Sequence, residues 1–188
     1  MKRFLLFSAV AFLTAILAAP VGADKKISTP LPMYGSFSGH LLALNMDPGV
    51  IANRCIATPE GKEAIWVASF EGWGELTHLG STYFYAEHCS YGTPGMPPIP
   101  DGTYGQGELT MIAANGDVLK AVYLDGIAYP LLPPAVGYED TIIFIDGGTG
   151  RFSFASGEAY EIGSVNMPPF GDGTLTAEMH GTISYGKK

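Results

Sequence analysis

Beyond its first 23 residues the chain is a series of short segments rich in Val, Ile, Phe, Tyr and Thr, separated by glycine, proline and Asn-Gly. The alternation of apolar and polar side chains is clearest at residues 174–185. Because successive side chains of a strand point to opposite faces, this pattern predicts a strand with one buried face and one solvated face. Helical periodicity is almost absent, so the chain is predicted to be all-β.

About eight strands are expected, joined mainly by short links. Asn115-Gly116, between the fourth and the fifth, is a strong signal for a type I′ hairpin turn. Eight antiparallel strands can close into a small barrel without exposed edges, but a two-sheet sandwich has the same sequence signature. The predicted strands are residues 36–44, 64–77, 81–91, 103–114, 117–125, 139–145, 151–162 and 174–185.

A glycine cluster is predicted to form a tight turn between two of these strands, because glycine adopts positive φ angles without a steric penalty. The Thr149 hydroxyl is expected to bond to nearby backbone, and Phe152 and Phe154 are expected to share one face of the outgoing strand. A phosphate-binding loop would need a helix directly after the glycines, and a P-loop would also need a lysine, so a structural turn is favoured. The residues of this predicted turn are Gly147, Gly148, Thr149, Gly150, Arg151 and Phe152.

Four segments, taken in order, resemble parts of the plant dirigent proteins and the related allene oxide cyclase-like barrels, which include small exported bacterial proteins. They are residues 72–80 with their His-Leu-Gly, the Ala-Asn-Gly-Asp of residues 114–117, the GGTGRF turn and residues 181–185. The resemblance covers most of the chain and implies a single antiparallel, calycin-like β-barrel of about eight strands. Asp146 departs from the plant proteins, which usually carry an apolar residue before the glycines. The resemblance assigns no catalytic residue, and the catalytic residues are unknown at this point.

Residues 1–23 are predicted to be a signal peptide. Lys2-Arg3 provide its positive start, an uncharged apolar stretch follows, and a small-residue cleavage site precedes Asp24. A retained transmembrane anchor is the alternative, but the apolar run is short for a bilayer. The mature chain, residues 24–188, suits one β-barrel domain and is expected in the periplasm or outside the cell.

The charge of the mature chain argues against two classes of partner. Without Lys2 and Arg3, eight basic residues stand against 18 acidic ones. Such a surface repels nucleic-acid phosphates and anionic lipid headgroups. Neither binding to nucleic acid nor stable insertion into a membrane is therefore expected.

Two cysteines remain, and in an oxidising compartment an isolated pair most often forms a disulfide. We therefore predict a bond between Cys55 and Cys89. The alternative is a reactive thiol, for which His88 would be the neighbouring base. Adjacent side chains of a strand point to opposite faces, however, and this disfavours the pair.

Aromatic residues supply the candidate ligand site. The interior of an eight-stranded barrel is either just filled by side chains or holds one small ligand, so aromatics that only fill the core are the alternative. The histidines form no HxH or HExxH spacing and the EF-hand pattern is absent, so neither a metal nor a cofactor is predicted. The candidates to line a lumen are Trp66, Trp73, His78, Tyr83 and Tyr85.

Two loops with several prolines, residues 92–102 and 127–137, are expected to be lids over the barrel mouth, contacts between copies or plain covers of the barrel wall. The first hypothesis for function is a non-catalytic barrel that binds a small apolar ligand or acts through its surface. The alternatives are an isomerase or cyclase that steers a reactive intermediate in the lumen, and a structural or homo-oligomeric envelope component. The apolar run 142–145 would suit the last of these. An open lumen with several inward polar groups would favour chemistry.

Overall fold

The computed structural model describes residues 29–96, 100–132, 134–169 and 171–186, so the predicted signal peptide lies outside the described residues. Within these ranges, eight strands and one α-helix follow each other, with a short 3-10 helix before the seventh strand. The elements are β1 (Leu31–Asn45), α1 (Pro48–Arg54), β2 (Glu63–Leu76), β3 (Gly80–Gly92), β4 (Thr103–Ile112), β5 (Val118–Pro130), β6 (Ala135–Gly148), the 3-10 helix Gly150–Phe152, β7 (Ala155–Asn166) and β8 (Thr174–Tyr185).

The eight strands form a closed antiparallel barrel in which every strand pairs with its neighbours in the sequence. Closure comes from β1 and β8, which pair over ten residues from Leu31 opposite Ile183 to His40 opposite Thr174. Closure leaves no sheet edge unpaired. The prediction of an all-β barrel is confirmed, and the sandwich alternative is wrong.

The strands around one loop are longer than predicted. Residues 127–130 and 136–139 pair with each other as the ends of β5 and β6, which leaves only a short link where a loop of eleven residues was expected. Pro130 is the last residue of β5, a position where the missing N–H of proline breaks no ladder. In the other proline-containing loop, residues 93–96 and 100–102 lie outside the strands, between β3 and β4.

Helix α1 was not predicted, because a helix of seven residues is too short to show periodicity. Its signal is local: the Asp47 carboxylate accepts hydrogen bonds from the N–H groups of Gly49 and Val50, which caps the first turn. The helix ends at Arg54, and Cys55 then forms a disulfide with Cys89 of β3 on the outside of the barrel. The predicted disulfide is thus present. No helix in the described ranges is long and apolar enough to cross a bilayer.

The β4–β5 hairpin differs from the predicted type I′ turn. A type I′ turn needs positive φ at two consecutive residues, but among residues 113–117 only Gly116 has one, at 84°. The Gly116 N–H donates to Ala113 O and the Ala113 N–H to Asp117 O. This is a type I turn followed by a glycine bulge, so the hairpin prediction was right and the turn type was wrong.

The connection after β6 also differs from the predicted tight turn. Gly147, Gly148 and Gly150 do have positive φ angles, and the Thr149 hydroxyl does accept from a backbone N–H, that of Val118. A 3-10 helix then precedes β7, so residues 151–154 are not strand. Phe152 is fully buried whereas Phe154 is 39% exposed, and the expectation that they share a strand face is wrong.

The two ends of the barrel differ, and this 3-10 helix lies at one of them. At the closed end, which carries the β2–β3, β4–β5 and β6–β7 connections, Phe152 packs in the core with other fully buried side chains. At the open end, which carries the β1–β2, β3–β4, β5–β6 and β7–β8 connections, a cavity opens between the strands. The fully buried apolar residues of the closed end include Met33, Met111, Leu119, Phe152 and Ile183.

Candidate functional site in the barrel lumen

The cavity at the open end has a volume of about 540 Å³, enough for a small organic molecule. Both loops singled out in the sequence contribute to its rim, through Pro100 and Asp101 on one side and Pro130 on the other. Its wall is mainly apolar and aromatic. The apolar lining includes Phe37, Trp66, Phe70, Phe84, Leu109, Leu175 and Met179.

Three tyrosines lie flat against the wall because glycines on neighbouring strands leave room for them. A Cβ at Gly126 would overlap the ring of Tyr104, and one at Gly107 would overlap the ring of Tyr123. The hydroxyl of Tyr138 comes similarly close to Gly163. We call these three glycines the glycine seats. They keep the rings at the wall, and the centre of the lumen stays open.

Two bulges decide which side chains point inward. In β6 the register shifts between Tyr138 and Thr141, so that both face the lumen although strict alternation would place them on opposite faces. In β4 an extra residue lies opposite His88, at Gln106, whose φ is 51°. That shift lets Tyr104 face inward together with the odd-numbered residues further along β4.

His88 is a neutral lumen residue. Its Nδ1 lies 2.9 Å from the hydroxyl of Tyr123, and its ring stacks on Tyr104 with the centroids 4.6 Å apart. Burial, and to a smaller extent the positive charge of Arg54, lower the pKa of His88 to about 3. At neutral pH the imidazole therefore carries no charge.

Glu161 is the lumen carboxyl. It lines the cavity from β7, directly opposite Thr141 of β6. Burial raises the pKa of Glu161 to about 7, and a hydrogen bond with Tyr138 opposes part of this increase. The residue is half-buried and is one of those that line the cavity. Near neutral pH this group can therefore either hold or release a proton.

The phenol groups around Glu161 remain protonated. Burial raises the pKa of Tyr104 to about 12, and it raises the pKa values of Tyr123 and Tyr138 well above 10. The Tyr104 hydroxyl bonds to the hydroxyl of Thr141. Since Thr141 also pairs with Glu161 across the strands, the phenol of Tyr104 and the carboxyl of Glu161 approach the same part of the lumen.

Arg54 supports this wall from outside. Its Nε donates to Glu87 Oε1 at 2.7 Å, and one of its terminal nitrogens donates to the carbonyl oxygen of Gln106 at 2.7 Å. The second bond holds the bulge of β4, and the disulfide holds the residue after His88. Helix α1 and the disulfide thus fix the backbone on both sides of the His88 ring.

Lys62 and Asp101 form a charged pair at the rim. The Nζ of Lys62 bonds to the carboxylate of Asp101, which also accepts from the N–H and the hydroxyl of Thr103. The bond with Lys62, followed by those with Thr103, lowers the pKa of Asp101 to about 2. This carboxylate is therefore already paired at the mouth.

The structure places one of the five predicted lumen residues in the lumen: Trp66 lines the cavity. Trp73 is 62% exposed, and its ring contacts that of Tyr83 on the outer face. Tyr83 and Tyr85 donate to glutamates on that face, Tyr83 to Glu71 at 2.6 Å and Tyr85 to Glu87 at 3.1 Å. These three differ from the expectation because odd-numbered residues of β2 and β3 point outward here.

His78 also lies outside the lumen. It belongs to the β2–β3 turn at the closed end, with φ at 70°, and its Nε2 lies 2.8 Å from Pro32 O. Its glycine-flanked setting therefore reflects a turn. Within the described ranges, no three His, Cys, Asp or Glu side chains come together as a group that could hold a metal ion.

Sequence reasoning placed none of the polar lumen residues in the lumen. Glu161 shares the parity of Ala159, an inward residue of the same strand, so alternation along β7 could have indicated it. Tyr104 and Tyr138 could not be found in this way, because each lies beyond a bulge. The polar lumen cluster consists of His88, Tyr104, Tyr123, Tyr138, Thr141 and Glu161.

Comparisons with known proteins add little to this geometry. No protein-family model matches the chain, and no curated protein matches it in sequence. A solved structure described as the enduracididine biosynthesis enzyme MppR with HEPES buffer bound is similar over 85% of this chain and 87% of that chain, with 9% identity and a TM-score of 0.26. So distant a likeness carries no argument about function, and the site must be interpreted from its own residues.

Proposed function

We propose that the lumen binds one small, mainly apolar and uncharged molecule that carries at least one hydrogen-bonding group. The observation that carries this proposal is the cavity of about 540 Å³, open at one end and lined by aromatic and aliphatic side chains with the polar lumen cluster on one part of its wall. Transfer of apolar surface from water into such a cavity contributes roughly 25 cal/mol per Å².

The polar lumen cluster supports an uncharged ligand. His88 is neutral, the phenols are protonated, and at the rim the Asp101 carboxylate is paired with Lys62. An anionic ligand would lose its hydration without meeting a positive charge among these groups, and a cationic ligand would meet only Glu161, which burial keeps partly protonated at neutral pH. A hydroxyl or carbonyl would find both donors and acceptors there.

Binding is tested with the neutral fluorophore N-phenyl-1-naphthylamine, whose emission rises in apolar surroundings. Ala86→Phe fills the lumen from β3, and Ala43→Phe adds the same ring to an exposed position of β1. We expect saturable binding to the wild type and to Ala43→Phe, and at least a tenfold loss of affinity for Ala86→Phe. Equal affinity in all three proteins would overturn the proposal.

The second candidate is a lumen isomerase or cyclase of the dirigent or allene oxide cyclase-like kind. It is favoured by one observation, the concentration of inward polar groups around Glu161 in an otherwise apolar cavity. A barrel that only stored an apolar molecule would have little use for a carboxyl group whose proton is released near neutral pH.

We also propose that the protein acts after export. The charged start and apolar stretch of residues 1–23 and the Cys55–Cys89 disulfide support this location. Cell fractionation followed by N-terminal sequencing is expected to give a mature protein that begins at Asp24. A cytoplasmic protein that keeps residues 1–23 would contradict the proposal.

A further inference from the structure

Glu161 of β7 and Tyr104 of β4 approach the same part of the lumen. Thr141 links them, since it pairs with Glu161 across β6 and β7 and bonds to the Tyr104 hydroxyl. Directly paired residues of neighbouring strands have Cβ atoms about 5 Å apart. A flat polar group of a ligand at this point can contact both the carboxyl of Glu161 and the phenol of Tyr104.

Their chemistry is complementary. A carboxylate can take a proton from a carbon atom next to a carbonyl group, and a protonated phenol can donate to the oxygen on which negative charge then develops. Tyr138 also interacts with the Glu161 carboxyl, and this interaction favours the ionised form of Glu161. His88 is bonded to Tyr123, and both lie further along the same polar surface.

We propose that the lumen catalyses proton-transfer isomerisation of a small β,γ-unsaturated ketone, with Glu161 as the base that moves the proton and Tyr104 as the donor to the carbonyl oxygen. This inference rests on the proposed function in one respect, since the ketone must bind in the lumen. The product is the conjugated α,β-unsaturated isomer.

The step needs no co-reactant. The Glu161 carboxylate takes a proton from the carbon between the carbonyl group and the double bond. The electron pair of that C–H bond forms a new C=C bond, and the carbonyl π electrons move to the oxygen, which accepts from the Tyr104 hydroxyl. The protonated Glu161 then returns the proton to the γ-carbon, and the carbonyl group reforms as the double bond moves into conjugation. Atoms and electrons balance, and the carboxylate is regenerated.

The surroundings of Glu161 determine the pH range in which the proposed isomerisation is fast. Glu161 acts as a base only when ionised, and its pKa of about 7 leaves a large ionised fraction at neutral pH and a base stronger than an exposed carboxylate. The titratable groups that face it are Tyr138 of β6, Tyr104 of β4 and Tyr123 of β5, which stay protonated, and His88 of β3, which stays neutral. The rate is therefore expected to rise with pH with a midpoint near 7.

The experiment uses the mature protein with cyclohex-3-enone, whose conversion to the conjugated enone is followed by ultraviolet absorbance. Displacement of N-phenyl-1-naphthylamine measures binding of the ketone separately. Glu161→Gln keeps the shape but removes the base, and a loss of about 100-fold or more in kcat is expected, with partial recovery in Glu161→Asp. Tyr104→Phe is expected to lose about tenfold to 100-fold.

The controls lie on the outer face of the same strand. Glu158→Gln and Tyr160→Phe change exposed residues of β7 and are expected to keep the wild-type rate. In a second measurement, 2-naphthol serves as a mimic of the enolate, and its affinity is expected to fall at least tenfold in Tyr104→Phe. A role of Tyr104 in folding alone would not produce this loss in a variant that binds the fluorophore normally.

The outcomes separate the two proposals. A ketone that displaces the fluorophore but isomerises no faster than in acetate buffer of equal concentration overturns the isomerase and leaves the binding function intact. Turnover that Glu161→Gln retains also overturns the isomerase. Failure of both the ketone and the fluorophore to bind overturns both proposals. Turnover that depends on Glu161 and follows the expected pH profile supports them.

Discussion

The two ends of the barrel are built from the same eight strands but filled in opposite ways. At the closed end Phe152, Met33 and Leu119 are fully buried in a continuous apolar core. At the open end the rings lie against the wall and surround a cavity of about 540 Å³. The contrast teaches that close packing at one end can supply the stability that a hollow, partly polar end does not.

The largest effect is expected at the closed end. Phe152→Ala removes a fully buried ring and should lower the free energy of unfolding by about 3–5 kcal/mol, because it combines lost burial with a cavity. Urea denaturation measures this loss. The matched variant Phe154→Ala, at a residue that is 39% exposed, should cost much less. Equal costs would show that the closed end does not carry the stability we assign to it.

At the open end, titration of Glu161 should make the free energy of unfolding depend on pH. Folded Glu161 holds its proton up to about pH 7, whereas the unfolded chain releases it near pH 4.5. Between these values the unfolded state binds fewer protons, so the stability of the wild type falls as the pH rises. Relative to Glu161→Gln, which lacks this titration, the loss should reach roughly 3 kcal/mol by pH 7. Urea denaturation at pH 4.5 and at pH 7 measures it.

Glu158→Gln is the control for that measurement, since Glu158 is exposed on the outer face of the same strand. It should follow the wild type at both pH values. If Glu161→Gln also follows the wild type, the carboxyl is not desolvated in the lumen.

Titration of His88 should change the free energy of unfolding with pH in the direction opposite to that of Glu161. It stays neutral in the folded state down to about pH 3, whereas the unfolded chain gains a proton below pH 6.5. The unfolded state therefore binds more protons in this window, and stability falls as the pH falls. From pH 6.5 to pH 4.5 the wild type should lose roughly 2–3 kcal/mol relative to His88→Gln. Parallel curves for the two proteins would contradict the neutral imidazole.

The smallest effect concerns a glycine seat. Gly126→Ala places a methyl group where the Tyr104 ring lies, and it should cost about 1–3 kcal/mol and weaken binding of the fluorophore. In the double variant with Tyr104→Leu the cost of the methyl group should largely disappear. A double-mutant cycle measures this coupling, and strictly additive costs would show that the ring does not depend on Gly126.

The fold could be predicted from the sequence because closure and alternation leave few choices. Burial alternates along residues 174–183 as the sequence predicts, and the core side of β8 follows directly from that alternation. Ser184 departs from it, because this predicted outward residue is buried. Helix α1 was missed because its signals are local, namely the cap at Asp47 and the proline that follows it, and seven residues show no periodicity. After β6 a tight turn was predicted and the 3-10 helix was missed, because a helix of three residues has no periodicity in the sequence.

The site was harder to predict, for two physical reasons. Trp66 and Trp73 lie seven positions apart in β2, so regular alternation places them on opposite faces of the strand. The prediction that both line the lumen was based on their aromatic side chains and did not apply this alternation. Tyr138 and Thr141 both face inward only because a bulge changes the parity of β6 between them. The bulges in β4 and β6 depend on how these strands pair with their neighbours. The alternation pattern within a single strand does not show this pairing.

The strand order has a consequence for how such a barrel can change. Because every strand pairs with its sequence neighbours, each connection at the open end joins two adjacent strands and crosses no other. Insertions or deletions in any of these four connections would therefore alter the entrance while the ladder below keeps its register. Selectivity for what enters and the chemistry of the wall can evolve separately in this architecture.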